Sequence, residues 1–254
     1  MGALAAPVLA SAAPRAGAPV VAAAFPSDAG DAGRLVAVRA VVFDVGETLV
    51  DETRIWSDWA DWLGIPRLTF MAVLGALIER GGDHLDPLRL FVPGIDIKAE
   101  FAKRADAGVP DDLRVDDLYP DAVPALRALI AAGYRVGIVG NQPTRAEAVF
   151  NGLGMALDFV ASSASWGVAK PDPAFFARLL EMTGNPGPGQ VAYAGDRVDN
   201  DVIPAAAAGM RAIWVRRGPW GMIQRAGNAQ PALTVDSLDE LVERINEVWP
   251  APGT

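Results

Sequence analysis

The sequence predicts an α/β fold, a doubly wound parallel sheet carrying a small inserted α-helical domain. Short, continuous apolar runs recur along the chain, and strands buried on both faces read that way. Segments of helical length separate these runs, so successive strands are joined by crossovers and lie parallel. A block of apolar and amphipathic segments between the first two runs supplies the insert.

The first strand is expected in "VRAVVFD", which ends at Asp44. Further strands are expected in "YRVGIVGN" (134–141), "LDFVASS" (157–163), "QVAYAGD" (190–196) and "MRAIWVR" (210–216). Helices are expected between them at 121–132, 144–153, 173–183 and 202–208, with "SLDELVERINEVW" as a last amphipathic helix over the sheet. Right-handed crossovers place the carboxyl ends of all strands on one edge, where open sheets of this kind bind ligands. Asp44, Asn141 and Asp196 end the first, second and fourth runs, and Lys170 follows the third by a short loop. Four polar residues from distant parts of the chain are therefore expected in one crevice.

The insert carries Trp56, Trp59 and Trp62 at three-residue spacing, one face of a short helix. Two more helical segments follow, at 68–80 and 95–105. The division expected is a core of 35–52 and 119–254, an inserted helical domain of 53–118 and a poorly ordered leader of 1–34. The leader is rich in Ala, Gly, Pro and Val without periodicity, and Pro7, Pro14 and Pro19 interrupt it.

Composition narrows the chemistry. A chain of 254 residues can hold one core and a small second domain. A net charge of -9 argues against a nucleic-acid partner, which needs clustered Lys and Arg. The absence of cysteine excludes disulfides and thiolate chemistry, and a single histidine, His84, excludes a His-rich zinc site. No apolar stretch reaches the roughly 18 residues of a membrane span, so no membrane partner is expected; the location expected is cytoplasmic. Only three of the 22 basic residues are lysines, namely Lys98, Lys103 and Lys170.

Four strings stand after predicted strands: "FDVGETLVDE" (43–52), "VGIVGN" (136–141), "AKPDPAFF" (169–176) and "GDRVDND" (195–201). In this order they resemble the four motifs of the haloacid dehalogenase-like superfamily, over residues 38–217, and the insert of 53–118 looks like the helical cap domain of that family. The resemblance implies that Asp44 is a nucleophile towards a small phosphorylated substrate, through an aspartyl-phosphate. It implies magnesium held by Asp44, the Gly46 carbonyl, Asp196 and Asp201, with Asp199 and Asp201 anchoring the ion through water or orienting Lys170. Lys170 would pair with the nucleophile and, with Gly140 and Asn141, bind the phosphate. The acidic fourth motif is similar to that of magnesium-dependent members rather than of dehalogenases, which carry Ser-Asn-type residues there.

Two positions depart from the phosphatase pattern. Gly46 stands where relatives carry the Asp that protonates the leaving oxygen, help worth about 10²–10⁴-fold. Gly140 stands where they carry Ser or Thr. Glu47, Glu52 and His84 are candidate substitutes for the acid, and restoring it by Gly46→Asp is expected to speed alkyl phosphate hydrolysis about ten-fold or more, and activated aryl phosphates much less. The departures keep open a catalytically weak or inactive member that binds a phosphorylated ligand or a protein. Phosphonate cleavage through a Schiff base at Lys98 or Lys103, and 2-haloacid dehalogenation, are further alternatives.

Overall fold

The computed structural model describes residues 39–249, and the leader expected over 1–34 lies outside them. Each of the five apolar runs carries a strand: β1 (Ala40–Phe43), β2 (Arg135–Gly140), β3 (Phe159–Ser162), β4 (Val191–Gly195) and β5 (Arg211–Val215). A sixth, β6 (Leu233–Val235), extends the sheet; three residues are too few to show a pattern in the sequence. All pairings are parallel, in the order β3-β2-β1-β4-β5-β6. The order reverses direction between β1 and β4, which opens the crevice at their carboxyl ends.

Between β1 and the helix that precedes β2 lies an insert of four helices: α1 (Thr53–Trp62), α2 (Arg67–Glu79), α3 (Asp86–Phe91) and α4 (Ile97–Asp106). They are followed by α5 (Ala122–Ala131), α6 (Glu147–Asn151), α7 (Ser163–Trp166), α8 (Pro173–Met182), α9 (Ile203–Ala207), α10 (Gly218–Ile223) and α11 (Leu238–Val248). The helix expected at 144–153 starts as a 3-10 turn, Thr144–Ala146. The one expected from Val202 starts four residues earlier, as a π-helical turn over Val198–Val202. Single π turns of this kind concentrate at functional sites.

Alternation along β1 divides the core. Val41 and Phe43 join one apolar cluster, covered by Leu126 and Leu129 of α5 and Leu241 and Ile245 of α11. Ala40 and Val42 join the other, covered by Phe175, Phe176 and Leu179 of α8 and Ala205 of α9. The start of α8 is written in "KPDP": Asp172 caps it by accepting from Ala174 N at 2.9 Å, and Pro173 takes the first turn. Lys170 is thereby left in the loop at the sheet edge.

The insert has its own aromatic cluster. Trp56 stacks on Phe70 at 6.2 Å, Phe70 on Phe91 at 5.8 Å, and Trp59 meets Phe101 edge-on at 5.0 Å. Trp220 of α10 completes it, so the packing continues into the sheet domain. Arg54 of α1 grips Asp117 with two hydrogen bonds of 2.7 Å, tying the start of the insert to its end. Among the described residues, no single helix is long and apolar enough to cross a membrane.

Candidate active site

Register delivers the site. Phe43 pairs with Ile138 on one side and Ala194 on the other, so Asp44 emerges level with the ends of β2 and β4. Asp44 N donates to Ala194 O at 2.8 Å, and a tight turn over Val45–Val50 follows, with Glu47 in the left-handed region at φ 51°. Asp44, Lys170, Asp196 and Asp201 are all buried and lie together.

Lys170 is the hub. Its Nζ lies 2.6 Å from Asp44 Oδ1 and 2.5 Å from Asp201 Oδ1, above the Tyr193 ring at 5.3 Å. Burial alone would lower the ammonium's pKa, but the two carboxylates outweigh it and hold it well above the ordinary lysine value. Asn141 fixes the main chain there: Lys170 N donates to its Oδ1 at 2.8 Å, and its Nδ2 donates to Lys170 O at 2.9 Å. The residue expected to bind phosphate is thus observed as a clasp on the lysine loop.

The acids divide by their bonds. Asp201 spends one oxygen on Lys170 and the other on Arg197 N at 2.9 Å; burial outweighs the lysine and carries its pKa to about 6. Asp196 keeps Oδ2 buried without a hydrogen-bond partner. Burial, then the charges of Asp201 and Asp44, push its carboxyl well above the usual range. One ligand oxygen from each of Asp44, Asp196 and Asp201 lies within 4.8 Å of the others. Three buried carboxylates against one ammonium, with an orphaned oxygen among them, fit a hard divalent cation such as magnesium.

Asp199 does not reach this centre. It is exposed, paired with Arg197 at 2.8 Å and accepting from Gln224 at 2.9 Å. Lys98 and Lys103 stand exposed on α4, Lys103 bonded to Glu100 at 2.9 Å, and neither is among the residues lining the cleft. At Gly140, a Cβ would lie 2.4 Å from Asp44 Oδ1, so any Ser or Thr there would displace the nucleophile as it stands.

Both expected glutamates approach the cleft. Glu47 is pinned: Tyr119 Oη donates to its Oε2 at 2.6 Å and Glu52 N to its Oε1 at 3.1 Å. Glu52 accepts from Trp56 Nε1 at 3.2 Å; burial first, then the Glu47 charge, raise its pKa to about 8. His84 packs edge-on against Trp56 at 6.2 Å, and burial pushes its pKa below the ordinary 6.5. Arg197, Asn200 and Trp220 also line the cleft. The first two stand inside "GDRVDND", between its acids. Trp220 lies in a one-turn helix with no periodic signal.

A cleft of about 110 Å³ holds Asp44, Lys170 and Asp196. A larger cavity of about 710 Å³ adjoins it beneath the insert. Glu52, His84, Asn141 and Gln142 line both.

The family profile of haloacid dehalogenase-like hydrolases matches residues 38–209, which include Asp44, Asn141, Lys170, Asp196 and Asp201. The chain belongs to the haloacid dehalogenase-like hydrolases. Among curated members, "Haloacid dehalogenase-like hydrolase domain-containing protein 3" of Danio rerio is 30% identical over 51% of this chain and 53% of its own length. A glyceraldehyde 3-phosphate phosphatase of Methanopyrus kandleri is 31% identical, over 51% of this chain and 57% of its own. A phosphoglycolate phosphatase of Rhodospirillum rubrum is 36% identical, over 43% and 46%. The chain thus spans about half the length of the curated relatives it matches.

Solved haloacid dehalogenase-like structures share the fold. A phosphatase from Thermococcus onnurineus superposes with a TM-score of 0.53 at 24% identity, covering 83% of this chain and 99% of its own. YfnB of Bacillus subtilis, solved bound to magnesium, gives 0.63 at 17% identity over 82% and 99%. An L-2-haloacid dehalogenase gives 0.60 at 23% identity over 83% and 99%.

Proposed function

We propose that the chain is a magnesium-dependent phosphatase acting through Asp44, with the four-helix insert as the cap that covers its substrate. The orphaned Asp196 oxygen among three buried carboxylates carries the reading, because such a group is costly unless a cation meets it. Asp44, Asp196 and Asp201 would hold magnesium, with the Gly46 carbonyl as a further oxygen. Bound there, the ion would neutralise the charge between carboxylate and phosphate. Lys170 holds Asp44 in place and offers a fixed positive charge to the phosphoryl group. The acidic fourth motif and the named phosphatase relatives favour phosphate over a haloacid; the dehalogenase likeness is one of fold. A cytoplasmic enzyme with a small-molecule rather than nucleic-acid partner belongs to the same proposal.

The larger cavity narrows the substrate. Ile55, Trp56, Trp59, Leu85, Phe101 and Leu113 give it an apolar wall. Arg145, on its rim, is already paired with Asp112 and donates to Asp111 O at 3.2 Å. A carboxylate on the substrate would find no unengaged cation among the described lining residues. In a phosphate-release screen, turnover is expected only with magnesium. Phenyl and alkyl phosphates are expected to exceed phosphoglycolate about ten-fold or more in kcat/KM. Equal rates in excess chelator would sink the metal-dependent reading.

Metal binding has a readout apart from turnover. Asp196 has a folded pKa above its unfolded one, so it costs stability at neutral pH, a cost that disappears below the unfolded value of about 4. Asp196→Asn is therefore expected to raise the melting midpoint of the metal-free protein at pH 7 by a few degrees, and to abolish most of the rise that magnesium gives the parent. Thermal scans at pH 7 with magnesium or chelator check both. An equal magnesium shift in the variant would remove Asp196 from the metal set.

A further inference from the structure

We propose that Glu52 is the proton donor and acceptor of the reaction, supplying from across the Val45–Val50 turn the carboxyl that position 46 lacks. The inference rests on the phosphatase reading and adds a catalytic residue to it.

Space is the first argument. A Cβ on Gly46 would lie 2.4 Å from Glu52 Oε1 and 3.1 Å from Glu52 Cδ. The Glu52 carboxyl therefore stands in the volume into which a side chain at 46 would project. Trp56 Nε1 holds Oε2, while Oε1 is the oxygen turned towards Gly46.

Position along the substrate is the second. With phosphorus at Asp44 and the organic group in the larger cavity, the bridging oxygen must lie where the two spaces meet. Four side chains line both: Glu52, His84, Asn141 and Gln142. Asn141 and Gln142 are amides, which do not serve as acids at neutral pH. Glu47 is close by, yet both its oxygens already accept hydrogen bonds. His84 is the one rival, and its Nδ1 sits 3.3 Å from Asp83.

The steps balance. An Asp44 oxygen bonds to phosphorus as the ester P–O bond breaks; the departing oxygen keeps the electron pair and takes the Glu52 proton, leaving as the alcohol. Glu52, now a carboxylate, takes a proton from water as the water oxygen bonds to phosphorus. The P–O bond to Asp44 then breaks, releasing phosphate and restoring both carboxyl groups. The same geometry reverses the expectation for Gly46→Asp. In the parent background the new carboxyl must displace Glu52, so the variant is expected to lose activity rather than gain it.

The test is kcat/KM, which reports formation of the aspartyl-phosphate, for the magnesium-loaded full chain on alkyl and aryl phosphates of similar size. Glu52→Gln is expected to lose about 10²-fold or more on alkyl esters and far less on 4-nitrophenyl phosphate, whose leaving group needs little protonation. Adding Gly46→Asp to Glu52→Ala, where the space is free, is expected to recover alkyl turnover about ten-fold over Glu52→Ala alone. An equal loss on all esters from Glu52→Gln would overturn the assignment. So would a leaving-group dependence produced by His84→Gln instead. If the parent turns over no ester, the phosphatase reading falls and this inference with it. If the parent is active and Glu52→Gln is indistinguishable from it, only the inference falls.

Discussion

Asp44→Asn is expected to abolish hydrolysis of every phosphate ester while leaving the fold intact. Its carboxylate neighbours have other tasks: on this reading Asp196 would hold the ion and Glu52 would move the proton. Asp201 has both oxygens committed, to Lys170 and Arg197, and Glu47 has both committed to Tyr119 and the Glu52 main chain. The change removes one of three clustered carboxylates and leaves Lys170 paired with Asp201, so the metal-free fold should lose little. Turnover and far-ultraviolet circular dichroism on the same preparation separate the two effects. Residual turnover above about one part in 10³, once deamidation is excluded by mass, would mean that another group carries the reaction.

Lys170→Met is expected to damage both rate and stability. Its ammonium is the one cation in contact with Asp44 and Asp201 among the described residues. Removing it should cost about 10²–10³-fold in kcat, as loss of one fixed electrostatic donor does elsewhere. Breaking a buried pair by deleting one partner costs about 3–5 kcal/mol, because the remaining charge stays buried. Adding Asp201→Asn to Lys170→Met should recover part of the stability and none of the rate. Urea unfolding of the parent and both variants without metal measures the first, and steady-state kinetics the second. A stable Lys170→Met single variant would show that solvent reaches this centre more freely than the burial of its side chains indicates.

The sheet was legible because each strand is a run buried on both faces, and the four polar residues were legible because each stands where such a run stops. Asp44, Asp196 and Lys170 needed only strand ends and parallel connections. The bonds between them were not legible. That Asn141 clasps the Lys170 main chain depends on side-chain reach across β2 and the loop after β3, which spacing does not encode. Asp199 and Asp201 look equivalent in "GDRVDND". The π-helical turn sends Asp201 inward and leaves Asp199 to Arg197. Glu52 could be named a candidate but not singled out, because the space over Gly46 exists only once the turn has closed. β6 and α10 are too short to show periodicity, and so nothing in the sequence marks Trp220.

All of this converges on one covalent species. Rapid acid quench during magnesium-supported turnover of an activated aryl phosphate, followed by peptide mass spectrometry, should find a phosphoryl group on the peptide containing Asp44. It should accumulate further in Glu52→Gln, where water is no longer activated, and be absent from Asp44→Asn. A burst of product without phosphoryl protein, or a phosphoryl group on any other residue, would contradict the account.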